Sequence, residues 1–217
     1  MAKRFTLEDC TAPLEMLTRC TRVATEEQLR RFCELYPTCR APGKSLISKL
    51  LNLDLLTCQD IAIRLPELDA PLFSWAPALP GFDTTSMATE LRRRKHEAPS
   101  RNTKVFWATD KAVSLIGGLS GLNRQPLQIE HDLCTTEVYL HYLTGTASGS
   151  SDTRWVGEDI LRGEYAHLFP TKMPDAAILH DEQFAARVIE VGGVYSADDL
   201  RHIHKAYSTR RFRYELW

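Results

Sequence analysis

Three short segments near the start of the chain carry apolar residues at the spacing of an α-helix. The stripes are Leu14, Leu17 and Thr21, then Leu29, Phe32 and Leu35, then Leu46 and Leu50. Thr25 with Gln28 three residues later forms a capping-box-like start for the second helix. The turn at 41–43 separates that helix from the third, which is expected over Lys44–Leu51. The first 51 residues are therefore predicted to hold three helices.

Strand-like segments follow these helices. Residues 61–65 and 104–109 favour β-structure, and a proline-rich stretch with an additional helix from Thr84 to Glu97 lies between them. Three helices followed by a strand, a long loop and a second strand are typical of a winged helix-turn-helix. The sequence predicts this module over residues 1–124.

The third helix is where a winged helix would contact DNA. Its exposed start offers Lys44, Ser45, Ser48 and Lys49, which can donate hydrogen bonds to phosphates or base edges. An ordinary amphipathic helix with a solvated basic face is the structural alternative.

The formal net charge of −1 gives no overall attraction to nucleic acid, so binding must come from local clusters. Two such clusters are Arg92, Arg93, Arg94 and Lys95, and Arg210, Arg211 and Arg213. We expect the first cluster to contact phosphate, although an exposed charge run is often only a solvated face.

The C-terminal half, residues 125–217, has a different order of elements. A helix from Glu130 through Leu143 precedes two strands near 169–179 and 185–191, which are expected to form a hairpin. Ser196 then caps a helix whose inner side carries Leu200, Ile203, His204 and Tyr207, and residues 211–217 alternate as a last strand. The whole chain is thus predicted to be α/β (α+β).

Three residue patterns carry a family resemblance. They are Phe106-Trp-Ala-Thr109 at a strand end with a helix beginning at Asp110, Pro174-Asp175-Ala176 before a strand, and Glu190 near the end of the next strand. With the element order, the chain resembles the replication-relaxation family of bacterial mobile elements. Its second half resembles the PD-(D/E)xK, or restriction-endonuclease-like, nuclease core.

The resemblance implies a catalytic site in the second domain. Asp175 and Glu190 would share one Mg²⁺, which offers a bound water for attack on a phosphodiester. The pattern requires a lysine two residues after Glu190, but Gly192 stands there, so the site is incomplete. Lys172 and Lys205 are the available substitutes.

Glu137 is a further acid that this resemblance brings into consideration. Helical spacing places it on the same face as Leu133 and Leu140, where a buried acid needs a partner. It could join the Asp175 and Glu190 site, or pair structurally with Arg154 or Arg187.

Three functions follow from these patterns. The first is a non-enzymatic double-stranded DNA-binding protein of a plasmid, phage or genomic island, in replication, relaxation or transcription control. The second is a Mg²⁺-dependent DNA nickase that uses Asp175 and Glu190. The third is an adaptor that uses the winged-helix fold to bind protein. A homodimer is expected of a protein that reads paired half-sites, although no segment identifies an interface.

The remaining features concern location and cysteine chemistry. The start of the chain has no apolar core of a signal peptide and no later run is long enough to span a bilayer, so we expect a cytoplasmic protein. The six cysteines form no CxxC pair and are interpreted as reduced, mostly buried thiols. A zinc site with Cys33 and Cys39 has unfavourable spacing.

Overall fold

A computed structural model describes residues 8–36, 43–121, 126–146, 153–181 and 184–217. The protein is α+β and divides into two compact units. Unit one draws on residues 1–63 and 101–148, and unit two on residues 64–100 and 149–217. This division differs from the boundary near residue 125 that the sequence predicts, because residues 64–100 join unit two and the helix after residue 125 joins unit one.

The described helices are α1 (Glu8–Glu15), α2 (Glu26–Leu35), α3 (Gly43–Asn52), α4 (Thr84–Glu97), α5 (Asp110–Ile116), α6 (Pro126–Thr146), α7 (Glu158–Glu164) and α8 (Ala197–Thr209). A π-helical turn covers Met16–Cys20 and a 3-10 turn covers Ala166–Leu168. The described strands are β1 (Ala24–Thr25), β2 (Leu56–Arg64), β3 (Phe73–Trp75), β4 (Ser100–Ala108), β5 (Arg154–Gly157), β6 (Ala176–Asp181), β7 (Phe184–Glu190) and β8 (Tyr214–Leu216). Within the described residues, no helix is both long and apolar enough to cross a membrane.

Helix α2 of unit one begins at the predicted cap, and helix α3 packs against it. The side chain of Thr25 accepts a hydrogen bond from the backbone of Gln28, whose side chain accepts one from the backbone of Thr25, so the predicted capping box is present. Helices α2 and α3 pack closely, since a Cβ atom at Gly43 would lie 3.0 Å from the Cα atom of Arg30. Leu46, Ile47 and Leu50 are the buried residues of α3.

A three-stranded sheet completes the core of unit one. Its strand order is β1-β4-β2, and β1 pairs antiparallel with β4, with Ala24 opposite Phe106. The C-terminal half of β4 is buried and its N-terminal half is mostly exposed. Thr109 follows β4 directly and caps α5 by accepting a hydrogen bond from the backbone of Ala112, so the predicted helix start at Asp110 is confirmed.

Unit two is built on a five-stranded sheet of order β3-β8-β7-β6-β5. Strands β5, β6 and β7 form an antiparallel meander, which includes the predicted hairpin, and β8 lies parallel to β7 after α8. Leu200, Ile203 and Tyr207 are buried on α8, as their spacing predicts. The edge strand β3 was not expected from the sequence.

The segment between β2 and β4 supplies β3 and α4 to unit two. β3 pairs antiparallel with β8, and Leu91 of α4 belongs to the same buried cluster as Leu200 of α8. α4 has the predicted bounds, and Asp83 caps it by accepting hydrogen bonds from two backbone N–H groups. Arg64 donates to the backbone carbonyls of His96 and Ala98, at 3.2 Å each, and so ties the start of the segment to its end.

Cys20, Cys33, Cys58 and Cys134 are thiols that form no disulfide. Cys33 and Cys134 are buried, and Cys20 and Cys58 are partly buried. Burial raises the pKa of Cys20 to about 11, which keeps this thiol protonated at neutral pH. Cys39, which the sequence analysis considered as a zinc ligand together with Cys33, lies outside the described residues.

The capping box of α2 gives the first prediction. Thr25→Ala removes the oxygen that accepts from Gln28 and should lower the free energy of unfolding by about 1 kcal/mol. Urea denaturation measures the change. Thr25→Ser keeps the acceptor and should retain most of the wild-type stability, and equal midpoints for Thr25→Ala and the wild type would contradict the capping role.

Candidate functional site

One side of α3 carries the DNA-contact residues that the sequence predicts. Lys44, Ser45 and Ser48 are exposed and Lys49 is partly exposed. Because successive residues of a helix are rotated by about 100°, these four positions fall on one side of α3, within about 140°. We call these four residues the α3 surface. The apolar side of α3 packs against the rest of unit one. The lysines and serines of the α3 surface therefore face the solvent.

The basic run at 92–95 differs from its expected role. It lies on α4 in unit two, and Arg93 forms salt bridges with Glu90, at 2.7 Å, and with Glu97. Arg94 also contacts Glu90, at 3.4 Å, while Arg92 is exposed. The hydrogen bond from Arg93 lowers the pKa of Glu90 to about 2. Much of the positive charge of this run is therefore balanced within its own helix.

Asp175 and Glu190 lie side by side at one end of the paired inner strands β6 and β7 of unit two. Ala176 of β6 pairs with Ile189 of β7, so Asp175 and Glu190 occupy the next position of that ladder. The carboxylate of Asp175 accepts a hydrogen bond from the backbone N–H of Val191 at 2.8 Å. The sequence-predicted acids are thus brought together, and one of them holds the chain directly after β7.

Lys172 and two tyrosines enclose the Glu190 carboxylate. The ammonium of Lys172 lies 2.9 Å from each carboxylate oxygen. Tyr195 donates to Oε2 at 3.2 Å and Tyr207 donates to Oε1. Together with Asp175 we call these residues the Glu190 cluster. A lysine does reach the glutamate, from the segment before β6 rather than from position 192.

The surroundings of Glu190 change its protonation. The side chain is completely buried, and loss of hydration raises its pKa to about 7, with a further contribution from the nearby Asp175. Lys172 and Tyr207 act in the opposite direction because they stabilise the charged form. The pKa of Tyr207 is raised, mainly by burial and then by Glu190.

A divalent cation does not fit this arrangement. Both oxygens of Glu190 face an ammonium group, and the side chain has no exposed surface. Mg²⁺ needs several oxygen ligands in open octahedral geometry and usually keeps bound waters. Among the described residues, no group of three or more metal-ligating side chains of the His, Cys, Asp and Glu types occurs. Lys172 occupies both oxygens that a metal would need.

Gly192 has a steric reason to be glycine. A Cβ atom there would lie 2.2 Å from Cδ2 of Leu91 and 2.6 Å from the carbonyl oxygen of Trp217. The backbone N–H of Gly192 donates to that same carbonyl at 2.7 Å, and this hydrogen bond holds the two backbone segments close together. A lysine at position 192 would break this contact, so the packing itself opposes the nuclease pattern.

Glu137 and Lys205 do not join the Glu190 cluster. Glu137 lies on α6 in unit one, where it forms a salt bridge with Arg31 of α2 at 2.6 Å and accepts from Gln28 at 3.3 Å. Both expectations for it are therefore corrected, since its partner is neither the Asp175 and Glu190 site nor Arg154 or Arg187. Lys205 is exposed on α8.

Sequence reasoning missed the two tyrosines as members of the cluster. Tyr207 was expected on the inner side of α8 as a core residue only. A signal was available, because a buried tyrosine hydroxyl usually finds a hydrogen-bond partner. Tyr195 lies just before the helix cap and carried no comparable signal.

No family model matches the chain, and no curated protein or solved structure shows significant similarity to it.

The packing at Gly192 gives the second prediction. Gly192→Ala should lower the free energy of unfolding by about 2 kcal/mol, because the added methyl group overlaps Leu91 and the backbone of Trp217. Gly193→Ala is the matched control, since a Cβ atom there meets nothing within 4 Å. Urea midpoints of the two variants compare them, and a Gly192→Ala variant as stable as Gly193→Ala would refute the steric account.

The raised pKa of Glu190 gives the third prediction. The folded protein holds this proton up to about pH 7, whereas the unfolded chain releases it near pH 4.5. More protons are bound in the folded state within this window, so the contribution of Glu190 to stability falls as pH rises, by roughly 3 kcal/mol in all. In Glu190→Gln this fall should be absent.

Chemical denaturation at several pH values between 4 and about 8 measures the difference between Glu190→Gln and the wild type. Glu164→Gln, at an exposed position of α7, is the control and should follow the wild-type profile. Parallel profiles for Glu190→Gln and the wild type would exclude a raised pKa at Glu190.

Proposed function

We propose that this protein binds double-stranded DNA through the α3 surface of unit one. The observation that carries the proposal is that α3 buries Leu46, Ile47 and Leu50 and turns Lys44, Ser45 and Ser48 to the solvent. Exposed lysines contact phosphates, and short hydroxyl side chains can approach base edges in the major groove. The DNA partner is double-stranded because a helix fits the major groove of a duplex.

The order of elements in unit one supports this proposal. Helices α2 and α3 pack together, β1 lies between the first helical segment and α2, and the sheet order is β1-β4-β2. A winged helix-turn-helix uses such an arrangement to present its recognition helix. The exposed half of β4 carries Arg101 and Lys104, which suit additional contacts to the phosphate backbone.

We propose a structural role for the Glu190 cluster. Lys172 balances the buried carboxylate, and Asp175 accepts from the backbone of Val191. These bonds tie the segment before β6 to the end of β7 and to α8. In this proposal unit two keeps the order of a nuclease-like core without its chemistry.

A Mg²⁺-dependent nickase is the second candidate function. The observation in its favour is that the three residue types of the nuclease pattern, Asp175, Glu190 and Lys172, do assemble at one end of strands β6 and β7. The ammonium position opposes it, because a metal would have to displace Lys172 from both oxygens of Glu190.

The resemblance to the replication-relaxation family suggests the cellular context. On that resemblance we propose a cytoplasmic protein of a plasmid, phage or genomic island that acts in replication, relaxation or transcription control. Paired half-sites would suit a homodimer.

Charge reversal on α3 gives the fourth prediction. Lys44→Glu/Lys49→Glu should weaken binding to a fluorescein-labelled duplex of mixed sequence by at least about tenfold near 0.1 M salt. The slope of log affinity against log salt should become shallower by about 2, because two phosphate contacts are lost. Fluorescence anisotropy over a salt series measures both quantities.

Arg19→Glu/Arg162→Glu is the matched control. Both arginines are exposed and lie outside α3, and the change in net charge is the same. We expect it to bind nearly as the wild type does. Equal losses in the two variants would mean that net charge alone matters, and an unchanged affinity of the α3 variant would refute the proposed function.

Incubation with supercoiled plasmid and Mg²⁺ or Mn²⁺ distinguishes the two candidates. The proposed function predicts binding without nicking. Nicking that is lost in both Asp175→Ala and Glu190→Ala would establish the second candidate.

A further inference from the structure

The end of α8 and the turn that follows it form a second basic surface, in unit two. Residues 200–214 contain four arginines, one lysine and two histidines but no aspartate or glutamate. Lys205, Arg210, Arg211 and Arg213 are all exposed, and we call these four residues the C-terminal basic cluster. In the described part of the chain no carboxylate pairs with any of them, in contrast to Arg93 and Arg94 of α4.

The backbone at Arg211 adds an independent observation. Arg211 has φ +59°, in the left-handed region that glycine adopts at the end of many helices. The N–H of Phe212 donates to the carbonyl of Tyr207 at 3.0 Å, which is the bonding pattern of such a helix end. An arginine there costs conformational free energy that glycine would avoid.

Stabilisation of the helix end does not account for the whole cluster. Cations near a helix C-terminus interact favourably with the helix dipole, but this effect fades beyond the last turn. Arg211 follows α8 by two residues and Arg213 by four. Their charges therefore contribute little to α8 itself.

The chemistry of the cluster selects its ligand. Four exposed cations, none of which pairs with a carboxylate in the described part of the chain, suit a phosphodiester backbone. A membrane surface would also attract cations, but stable attachment calls for apolar side chains that insert. None of the exposed large hydrophobic residues of the described chain belongs to the segment 200–214; they are Leu53, Leu79, Leu115, Leu119 and Val194.

We infer that the C-terminal basic cluster of unit two is a second binding surface for the phosphate backbone of duplex DNA. The inference rests on the proposed function in its choice of ligand, but it concerns different residues in a different unit. It assigns to unit two a binding activity that is separate from the Glu190 cluster and independent of base sequence.

The experiment compares four full-length proteins with the same labelled duplex. They are the wild type, Lys44→Glu/Lys49→Glu, Lys205→Gln/Arg210→Gln/Arg211→Gly, and the combination of both sets. In the α3-variant background, neutralising the cluster should weaken the remaining low-salt binding at least about tenfold and make its salt slope shallower by about 2 to 3. Thermal unfolding should occur at an equal or higher temperature, because glycine replaces an arginine with positive φ.

Lys205→Arg/Arg210→Lys/Arg211→Lys retains the charges and should retain binding. Residual binding that survives neutralisation, or an α3 variant with no residual binding, would overturn the inference. The proposed function is judged separately, by the α3 variant against the wild type.

Binding to vesicles of phosphatidylserine and phosphatidylcholine is measured with the same proteins. If neutralising the cluster reduced vesicle binding without reducing duplex binding, the inference would be overturned in favour of a lipid surface.

Discussion

Burial of one side of α3 is the constraint on which the functional account depends. Leu46, Ile47 and Leu50 leave the solvent, and each such side chain contributes about 1.5 to 3 kcal/mol when fully buried. Rotating α3 to hide Lys44 or Lys49 would expose this apolar surface. The core of unit one thus sets which side chains of α3 a ligand can reach, although none of the core residues would contact the ligand.

A second constraint shapes unit two. A carboxylate that is completely buried needs compensation, and Glu190 receives it from Lys172 and two tyrosine hydroxyls. The same contacts occupy the oxygens that a metal would need. At Gly192 the backbone approaches Trp217 too closely for a side chain. Both features favour a structural cluster in a fold whose strand order could otherwise support nuclease chemistry.

Local signals predicted much of the fold. The bounds of α4, the capping box at Thr25, the start of α5 and the β6–β7 hairpin all follow from caps, periodicity and turn residues. These features depend on neighbours within a few positions, which a single sequence displays directly. The assignment of elements to units did not follow in this way, because β3 exists only through its pairing with β8, far along the chain.

The site shows the same division between local and distant effects. The resemblance to the nuclease core identified Asp175 and Glu190 beside predicted strands, and Lys172 was identified from its nearness to Asp175 in sequence. The partner of Glu137 could not be found this way, since Arg31 is 106 residues away in the chain. The balance of charge on α4 was accessible, because Glu90 and Glu97 stand at helical spacing from Arg93.

Photo-crosslinking tests most directly whether α3 is the side of unit one that meets DNA. A benzophenone amino acid placed at Ser48 should crosslink to a bound duplex, whereas the same group at Ser114, an exposed serine on α5 of the same unit, should not. A crosslink at Ser114 with none at Ser48, while the duplex remains bound, would contradict the account.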